Sequence, residues 1–175
     1  MLKIFSWLFP SRRRVAPTLK AIFIAAKAGE AMQSVARIQA IAAAGLRGDR
    51  YSEAGGFWQA TDACQVTLIS EDDISQAKQG RPAILQDKLD NGSHRRNLVV
   101  GGIKTKQLEG KTFRIGQASF RYHKPRPPCA YLEKIEGQGM SRALGKHSGV
   151  CLYVIEGGEF SVGDTLEIIK TSGED

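Results

Sequence analysis

This sequence has few of the residues that build disulfide frameworks and metal knuckles. It contains three cysteines and three histidines in 175 residues, and no two cysteines have Cys-x-x-Cys spacing. An odd number of dispersed cysteines builds neither a disulfide scaffold nor a zinc knuckle. The histidines are also too far apart in sequence for a zinc motif. We therefore expect free thiols in a reducing compartment.

Long apolar runs are missing as well. Residues 1–10 are largely apolar and residues 12–14 are arginines, far short of the roughly 20 apolar residues that span a bilayer. The stretch also lacks the longer apolar core and the cleavage site of a signal peptide. We predict a cytoplasmic protein with a basic, disordered tail over residues 1–17. The alternative is a weak peripheral contact with a membrane surface through residues 1–14, with Trp7 and Phe9 inserted beside anionic headgroups.

Excess positive charge is confined to one end of the chain. The formal net charge is +7, but six basic residues precede the first acidic residue, Glu30, and the rest of the chain has 19 basic and 18 acidic side chains. There is no zinc finger, basic helix or aromatic-and-basic RNA motif, so we predict no nucleic-acid partner. A Walker loop, a dinucleotide fingerprint and a Gly-x-Ser-x-Gly elbow are also missing, which argues against nucleotide hydrolysis and a serine nucleophile.

The sequence is rich in short apolar runs separated by glycines and polar turns. Seven of these runs have the β-branched, alternating character of strands. They lie at residues 19–24, 65–69, 97–100, 112–115, 118–122, 150–155 and 165–169. Many strands with few helical crossovers predict a mainly β fold, a barrel or a sandwich. We expect one domain over residues 18–170 and a C-terminal tail at 171–175.

Two helices are predicted between the second and third runs. Ser70 with Asp73 resembles a capping box and opens a helix that stops at Gly80. Pro82 can begin a second helix, which ends near Gly92.

The most informative stretch is Lys-Pro-Arg-Pro-Pro-Cys at residues 124–129. Its prolines fix φ and supply no N–H, so we predict a stiff loop that is neither helix nor central strand. The cationic neighbours favour the thiolate of Cys129, the form that attacks electrophiles, carries sulfur or binds soft metals. The alternative is a small buried hydrophobe. Cys151, in an apolar run, is predicted to be structural, and Cys64 has no charged cluster of its own.

Two further polar clusters stand out, Gly-Asp-Arg-Tyr at residues 48–51 and His-Arg-Arg-Asn at residues 94–97. An arginine offers a planar fork for phosphate, and Asn97 offers a donor and an acceptor to the edge of a heterocycle. The second cluster therefore suits an anionic, nitrogen-rich ligand. Each cluster alone is also typical of a solvated turn held by local hydrogen bonds.

Five segments, taken in order, resemble the MOSC domain, which is named for the C-terminal domain of molybdenum cofactor sulfurase. They are residues 45–50, 95–103, 108–116, 125–129 and 157–164, and the resemblance spans about residues 19–169. It implies a β-rich, barrel-like fold with a few short helices. It also implies that Cys129 either ligates molybdenum in a molybdopterin cofactor or carries sulfur as a persulfide.

The resemblance extends to the polar clusters. Arg95 and Asn97 match the family's Arg-x-Asn, and with Arg126 they are expected to hold the anionic part of the cofactor. Asp49 and Arg50 are expected to form a salt-linked turn that supports the cleft. We expect the chain to be similar to the small stand-alone bacterial members, because residues 1–17 can be neither a pyridoxal phosphate domain nor an additional β domain.

The activity that the resemblance implies is two-electron reduction of N-hydroxylated compounds by a molybdenum-cofactor-binding protein. An external electron donor is expected, because the sequence has no flavin, haem or iron–sulfur signature. Two alternatives stay open. In one, Cys129 carries a sulfane sulfur received from a donor protein; in the other, the domain binds a partner and performs no chemistry.

The tail generates the first prediction. Deleting residues 1–14 removes Lys3 and three arginines, each worth on the order of 1 kcal/mol near an anionic surface, together with the apolar side chains of Trp7 and Phe9. We expect the truncated protein to stay folded and to bind anionic vesicles more weakly. Co-sedimentation at low and high salt measures this, and equal pelleting of both proteins would contradict a membrane contact.

Overall fold

The computed structural model describes residues 15–52 and 64–169. Within these residues it contains eleven β-strands, four α-helices and one 3₁₀ helix. The strands are β1 (Thr18–Ile24), β2 (Gln33–Val35), β3 (Arg37–Ile41), β4 (Gly45–Leu46), β5 (Val66–Ser70), β6 (Leu98–Gly101), β7 (Thr112–Ile115), β8 (Ala118–Pro125), β9 (Val150–Glu156), β10 (Gly158–Ser161) and β11 (Leu166–Ile169). The helices are α1 (Glu71–Lys78), α2 (Ala83–Asp90), α3 (Ala130–Glu136) and α4 (Met140–Leu144), with the 3₁₀ helix at Thr105–Leu108.

Eight strands form one large sheet in the order β11-β7-β8-β9-β5-β6-β1-β2, and β10, β3 and β4 form a small second sheet. Neighbouring strands are antiparallel except β5 and β6, which pair in parallel with Leu68 opposite Leu98. A parallel pair needs a crossover connection, and the segment between β5 and β6 supplies it with α1 and α2. The predicted mainly β class is confirmed.

The large sheet curls without closing into the expected barrel. Near its two edges, Thr18 forms an isolated bridge with Thr165, and the Leu166 N–H donates to the Pro17 carbonyl at 2.8 Å. These few hydrogen bonds bring β1 close to β11, but no continuous ladder joins the two strands. The fold is therefore a curled sheet with open edges among the described residues.

The large sheet separates two hydrophobic cores. Successive residues of a strand face opposite sides, so Leu68 and Leu98 join the core inside the curl, whereas Ile69 and Val99 pack under the helices. Strands β5 and β6 are buried along their whole length. This burial on both faces explains why their sequences read as continuous apolar runs rather than alternating patterns.

The two predicted helices are confirmed. Ser70 is the N-cap of α1 and its hydroxyl accepts a hydrogen bond from the Asp73 N–H at 3.1 Å, while α2 begins after Pro82. Helices α3 and α4 were not predicted, because they have only seven and five residues. Glycines also stand at the C-cap of α3 and at both caps of α4. None of the described helices is long and apolar enough to cross a bilayer.

The prediction of a loop over residues 124–129 is wrong for residues 124 and 125, which belong to a strand. Strand β8 continues to Pro125, with Lys124 opposite Cys151 and Pro125 opposite Val150 on β9. On its other side β8 pairs with β7 only as far as Arg121, so the proline lies where the strand has one neighbour. Only residues 126–129 form the connection to α3.

The predicted tails lie mainly outside the described residues. The structure does not describe residues 1–14, which include Trp7 and Phe9, nor residues 170–175. The domain bounds at residues 18 and 170 stay predictions.

Asn97 lies directly before β6 and links β5 to β1 from a fully buried position. Its side-chain oxygen accepts from the Thr67 N–H at 3.0 Å and the Thr67 hydroxyl at 2.9 Å, both on β5, and its amide donates to the Phe23 carbonyl of β1 at 3.1 Å. The expectation that Asn97 contacts a ligand does not fit this position, because the amide is engaged by the protein. Asn97 stabilises the sheet.

We predict that Asn97→Ala destabilises the protein, because each buried group left without its partner costs about 1–3 kcal/mol. Asn91→Ala is the matched control: its exposed amide donates to Asp87 one turn earlier, and a typical hydrogen bond contributes only about 0.5–1.5 kcal/mol net. Urea unfolding measures both. Equal stability of the two variants would contradict this role for Asn97.

Candidate functional site

Cys129 lies where the connection from β8 enters α3. It is the N-cap residue of α3, with φ −133° and ψ 165°. Its carbonyl accepts hydrogen bonds from the Leu132 N–H at 3.0 Å and the Ser141 hydroxyl at 3.1 Å. Cys129 is partly exposed, whereas Cys64 and Cys151 are buried. The structural interpretation of Cys151 is consistent with its position on β9.

A cavity that is partly open to solvent reaches Cys129. Four guanidinium groups line it together with two tyrosines and a short apolar wall. The lining residues are Ala28, Arg50, Tyr51, Arg95, Arg96, Arg126, Pro127, Pro128, Cys129, Tyr131, Leu132 and Ile135. The structure thus brings the predicted residues Arg50, Arg95, Arg126 and Cys129 to one cavity; the other two, Asp49 and Asn97, do not line it. We call it the arginine cavity.

Arg95 carries the clearest sign of an anion site. It has a φ of 61°, a strained backbone conformation for a residue with a side chain. Its Nη1 donates to the Glu30 carbonyl at 2.6 Å and to the Glu136 carboxylate at 3.0 Å. Its Nη2 is buried and has no hydrogen-bond partner among the described residues. Because a buried donor without a partner is costly, this nitrogen is suited to a ligand acceptor.

Arg50 is held by Asp49, as expected for a salt-linked turn. The Asp49 carboxylate is fully buried and accepts from Arg50 Nη1 at 3.0 Å and from the Ala25 N–H at 3.1 Å. Arg50 Nη2 donates to the Arg95 carbonyl at 3.2 Å. Asp49 therefore orients Arg50 and helps to fix the strained turn at Arg95, without lining the cavity itself.

Arg96 is the lining arginine that the sequence analysis missed. Its Nε donates to the Ser148 carbonyl and its Nη2 to the Ser148 hydroxyl, both at 2.6 Å. Burial, and next the charge of Arg126, lower the pKa of Arg96 to about 10. The polar cluster at residues 94–97 includes Arg96, but the sequence alone does not tell which of its side chains faces the cavity.

Arg126 lies beside Arg96 at the cavity wall. Its Nη2 donates to the Tyr51 hydroxyl at 3.4 Å, and its carbonyl accepts from Arg96 Nη2 at 3.3 Å. Among the lining arginines, Arg50 pairs with Asp49 and Arg95 with Glu136. The concentration of guanidinium groups around the cavity favours an anionic ligand next to the Cys129 thiol.

The described residues contain no group of three or more His, Cys, Asp or Glu side chains that could hold a metal ion. Burial lowers the pKa of His94 to about 3, so it is neutral, and its Nδ1 accepts from the Arg96 N–H at 2.9 Å. His147 contacts Asp73, and His123 contacts Tyr153.

Comparison with known proteins gives a family and a fold. The family model described as MOSC domain matches residues 58–167, a narrower range than the segments that suggested the resemblance. No curated protein matches the sequence.

Solved structures share the fold at low identity. YuaD from Bacillus subtilis has a TM-score of 0.70 at 16% identity, over 89% of this chain and 97% of that one. YiiM from Escherichia coli has a TM-score of 0.64 at 17% identity, over 90% and 72%. YiiM from Geobacillus stearothermophilus has a TM-score of 0.57 at 16% identity, over 88% and 75%. At these identities the likeness concerns the fold alone.

The different exposure of the three cysteines generates a prediction. Cys129 should react with iodoacetamide in the folded protein, whereas Cys64 and Cys151 should react at least ~10²-fold more slowly, because buried thiols react only after local opening. Mass spectrometry of alkylated peptides measures each rate, and protein unfolded in urea is the control in which all three should react. Similar rates for the three thiols in the folded protein would contradict the assignment.

Proposed function

Because this chain belongs to the MOSC domain family, we propose that it binds a molybdenum cofactor in the arginine cavity, with Cys129 as the thiolate ligand of the metal. The family is associated with this cofactor. The observation that carries the proposal is the Nη2 of Arg95, which is buried without a hydrogen-bond partner among the described residues, in an arginine-lined cavity that reaches a thiol. A soft thiolate suits molybdenum, and guanidinium groups suit the phosphate of the pterin.

The protein side chains have separate roles in this proposal. Arg95, Arg96 and Arg126 would hold the anionic part of the cofactor, and Cys129 would ligate the metal. Asp49 and Glu136 would orient the arginines without contacting the ligand. When bound, the cofactor would supply a metal centre that exchanges two electrons with a substrate. The chain itself would bind and orient the cofactor and shield one side of it from water.

The proposed reaction is reduction of an N-hydroxylated compound. Two electrons and two protons convert an N–OH group to N–H and release one water molecule. The electrons would come from an external donor protein. The partly exposed position of Cys129 supports this proposal, because a substrate can approach the sulfur from solvent.

The same exposure favours a second candidate function, sulfur transfer. The Cys129 thiolate would attack the outer sulfur of a donor persulfide, form a new S–S bond and release the donor's thiolate. The resulting persulfide at Cys129 would then pass its outer sulfur to an acceptor nucleophile. A non-catalytic binding module, the remaining alternative, would show neither metal nor persulfide.

Cofactor loading tests the proposal. Protein produced in a cofactor-proficient host should contain molybdenum and pterin, and Cys129→Ser should lose the metal. Arg95→Gln should bind the cofactor about tenfold more weakly or worse, because a lost charge-assisted hydrogen bond costs about 1.5–3 kcal/mol. The matched control is Arg114→Gln, which changes an exposed arginine paired with Glu156 on the surface.

Metal and pterin analysis, with thermal unfolding to check the fold, measures these effects. Full loading of folded Cys129→Ser would exclude Cys129 as the ligand. A metal-free protein whose Cys129 gains the mass of one sulfur atom with a persulfide donor would favour sulfur transfer instead.

A further inference from the structure

Arg95 and Arg96 are consecutive residues, yet both of their side chains line the arginine cavity. In an extended chain successive side chains point to opposite sides, so an extended backbone would turn one of the two arginines away. The backbone leaves the extended form at Arg95, where φ is 61°. The cavity therefore depends on this one turn, which is strained and has to be held by the contacts around it.

Both main-chain and side-chain hydrogen bonds hold the turn. The Arg95 N–H donates to the Gly92 carbonyl at 2.8 Å, and the Arg95 carbonyl accepts from Arg50 Nη2 at 3.2 Å. The Arg96 N–H donates to Nδ1 of the His94 ring at 2.9 Å. A side chain that accepts from the N–H two residues later has the arrangement of an Asx turn, with an imidazole nitrogen in place of the Asn or Asp oxygen.

The surroundings of His94 keep its ring in the form that can accept this bond. The residue is fully buried, and its ring meets the Phe23 ring edge-on with the centroids 5.6 Å apart. Burial, and next the charge of Arg96, lower the pKa of His94 to about 3, so the ring is neutral at neutral pH. Because Nδ1 accepts, the proton of the neutral ring is on Nε2.

The Nε2 nitrogen shows what the position requires. It is buried and has no hydrogen-bond partner among the described residues. A buried polar atom without a partner is costly, and an apolar side chain of similar size would avoid that cost. The benefit of a histidine at this position therefore comes from its other nitrogen, which accepts the Arg96 N–H.

We infer that His94 is a positioning residue of the arginine cavity: its ring accepts the Arg96 N–H and thereby sets the turn that directs the Arg95 and Arg96 guanidinium groups to one anion. The inference rests on the proposed function, because it concerns how the cavity holds the anionic part of its ligand. His94 is not among the described residues that line the cavity, so it acts through the two arginines.

Two substitutions separate the hydrogen bond from the bulk of the ring. His94→Asn places an acceptor oxygen at the position of Nδ1, the same number of bonds from the backbone, and can complete an Asx turn. His94→Gln is the larger side chain, but its oxygen lies one bond further out. We expect His94→Asn to bind inorganic phosphate within about threefold of the unsubstituted protein and His94→Gln to bind it about tenfold more weakly, because the Arg96 N–H loses its acceptor.

Isothermal titration calorimetry with inorganic phosphate at neutral pH measures these affinities, and thermal unfolding checks the fold of each variant. His123→Gln is the matched control, because His123 contacts Tyr153 and is not among the described residues of the cavity wall. It should bind phosphate as the unsubstituted protein does. Equal affinities of the two His94 variants, or tighter binding by His94→Gln, would overturn the inference, because the position of the acceptor would then not matter.

A measurement on the unsubstituted protein does not require any variant to fold. Nitrogen NMR chemical shifts of the His94 ring report which of its two nitrogens carries the proton. At neutral pH we expect a proton on Nε2 and an accepting Nδ1. A proton on Nδ1, or a charged ring, would overturn the inference, since neither form can accept the Arg96 N–H at Nδ1.

Cofactor analysis of the unsubstituted protein from a cofactor-proficient host separates the two proposals. Protein that contains molybdenum and pterin, but binds phosphate equally as either His94 variant or not at all, keeps the proposed function and overturns the role of His94. Protein that never contains the cofactor, but whose phosphate affinity falls in His94→Gln and not in His94→Asn, keeps His94 as a positioning residue and overturns the cofactor proposal.

Discussion

The burial of several guanidinium groups around one thiol is the constraint on which the site depends. Burying a cation is costly unless hydrogen bonds replace its water. Here the carbonyls of Glu30, Arg95, Arg126 and Ser148 supply many of them. These carbonyls come from segments far apart in the chain. The arginines therefore hold together the loops that form the cavity.

Cys129 lies between two surfaces that are lined by different residues. One side is the arginine cavity, and the more open surface on the other side is lined by Glu133 and the start of α4. The Ser141 hydroxyl donates a hydrogen bond to the Cys129 carbonyl, so the start of α4 helps to fix the backbone at Cys129 while the side chain stays partly exposed.

Local signals predicted α1 and α2 well because those helices have sequence-encoded ends. Ser70 supplies a side-chain cap and Pro82 a fixed φ, so each boundary depends on neighbours in sequence. Helices α3 and α4 are too short for a periodic apolar pattern, and they are held by tertiary contacts such as those of Glu133. Pro125 was interpreted as outside the strand because the sequence does not reveal that β8 has only one neighbour there.

By itself, the sequence determined the mainly β class, most strand positions and two helices, since these follow from local apolar patterns and turn residues. Only the tertiary structure decided which polar residues meet. Arg95, Arg96 and Asn97 are adjacent in sequence, yet only the two arginines line the cavity. Asn97 instead forms hydrogen bonds with Phe23 and Thr67 in the sheet. The physical reason is that a side chain's environment depends on which distant strands and loops pack against it, and no local pattern specifies those partners.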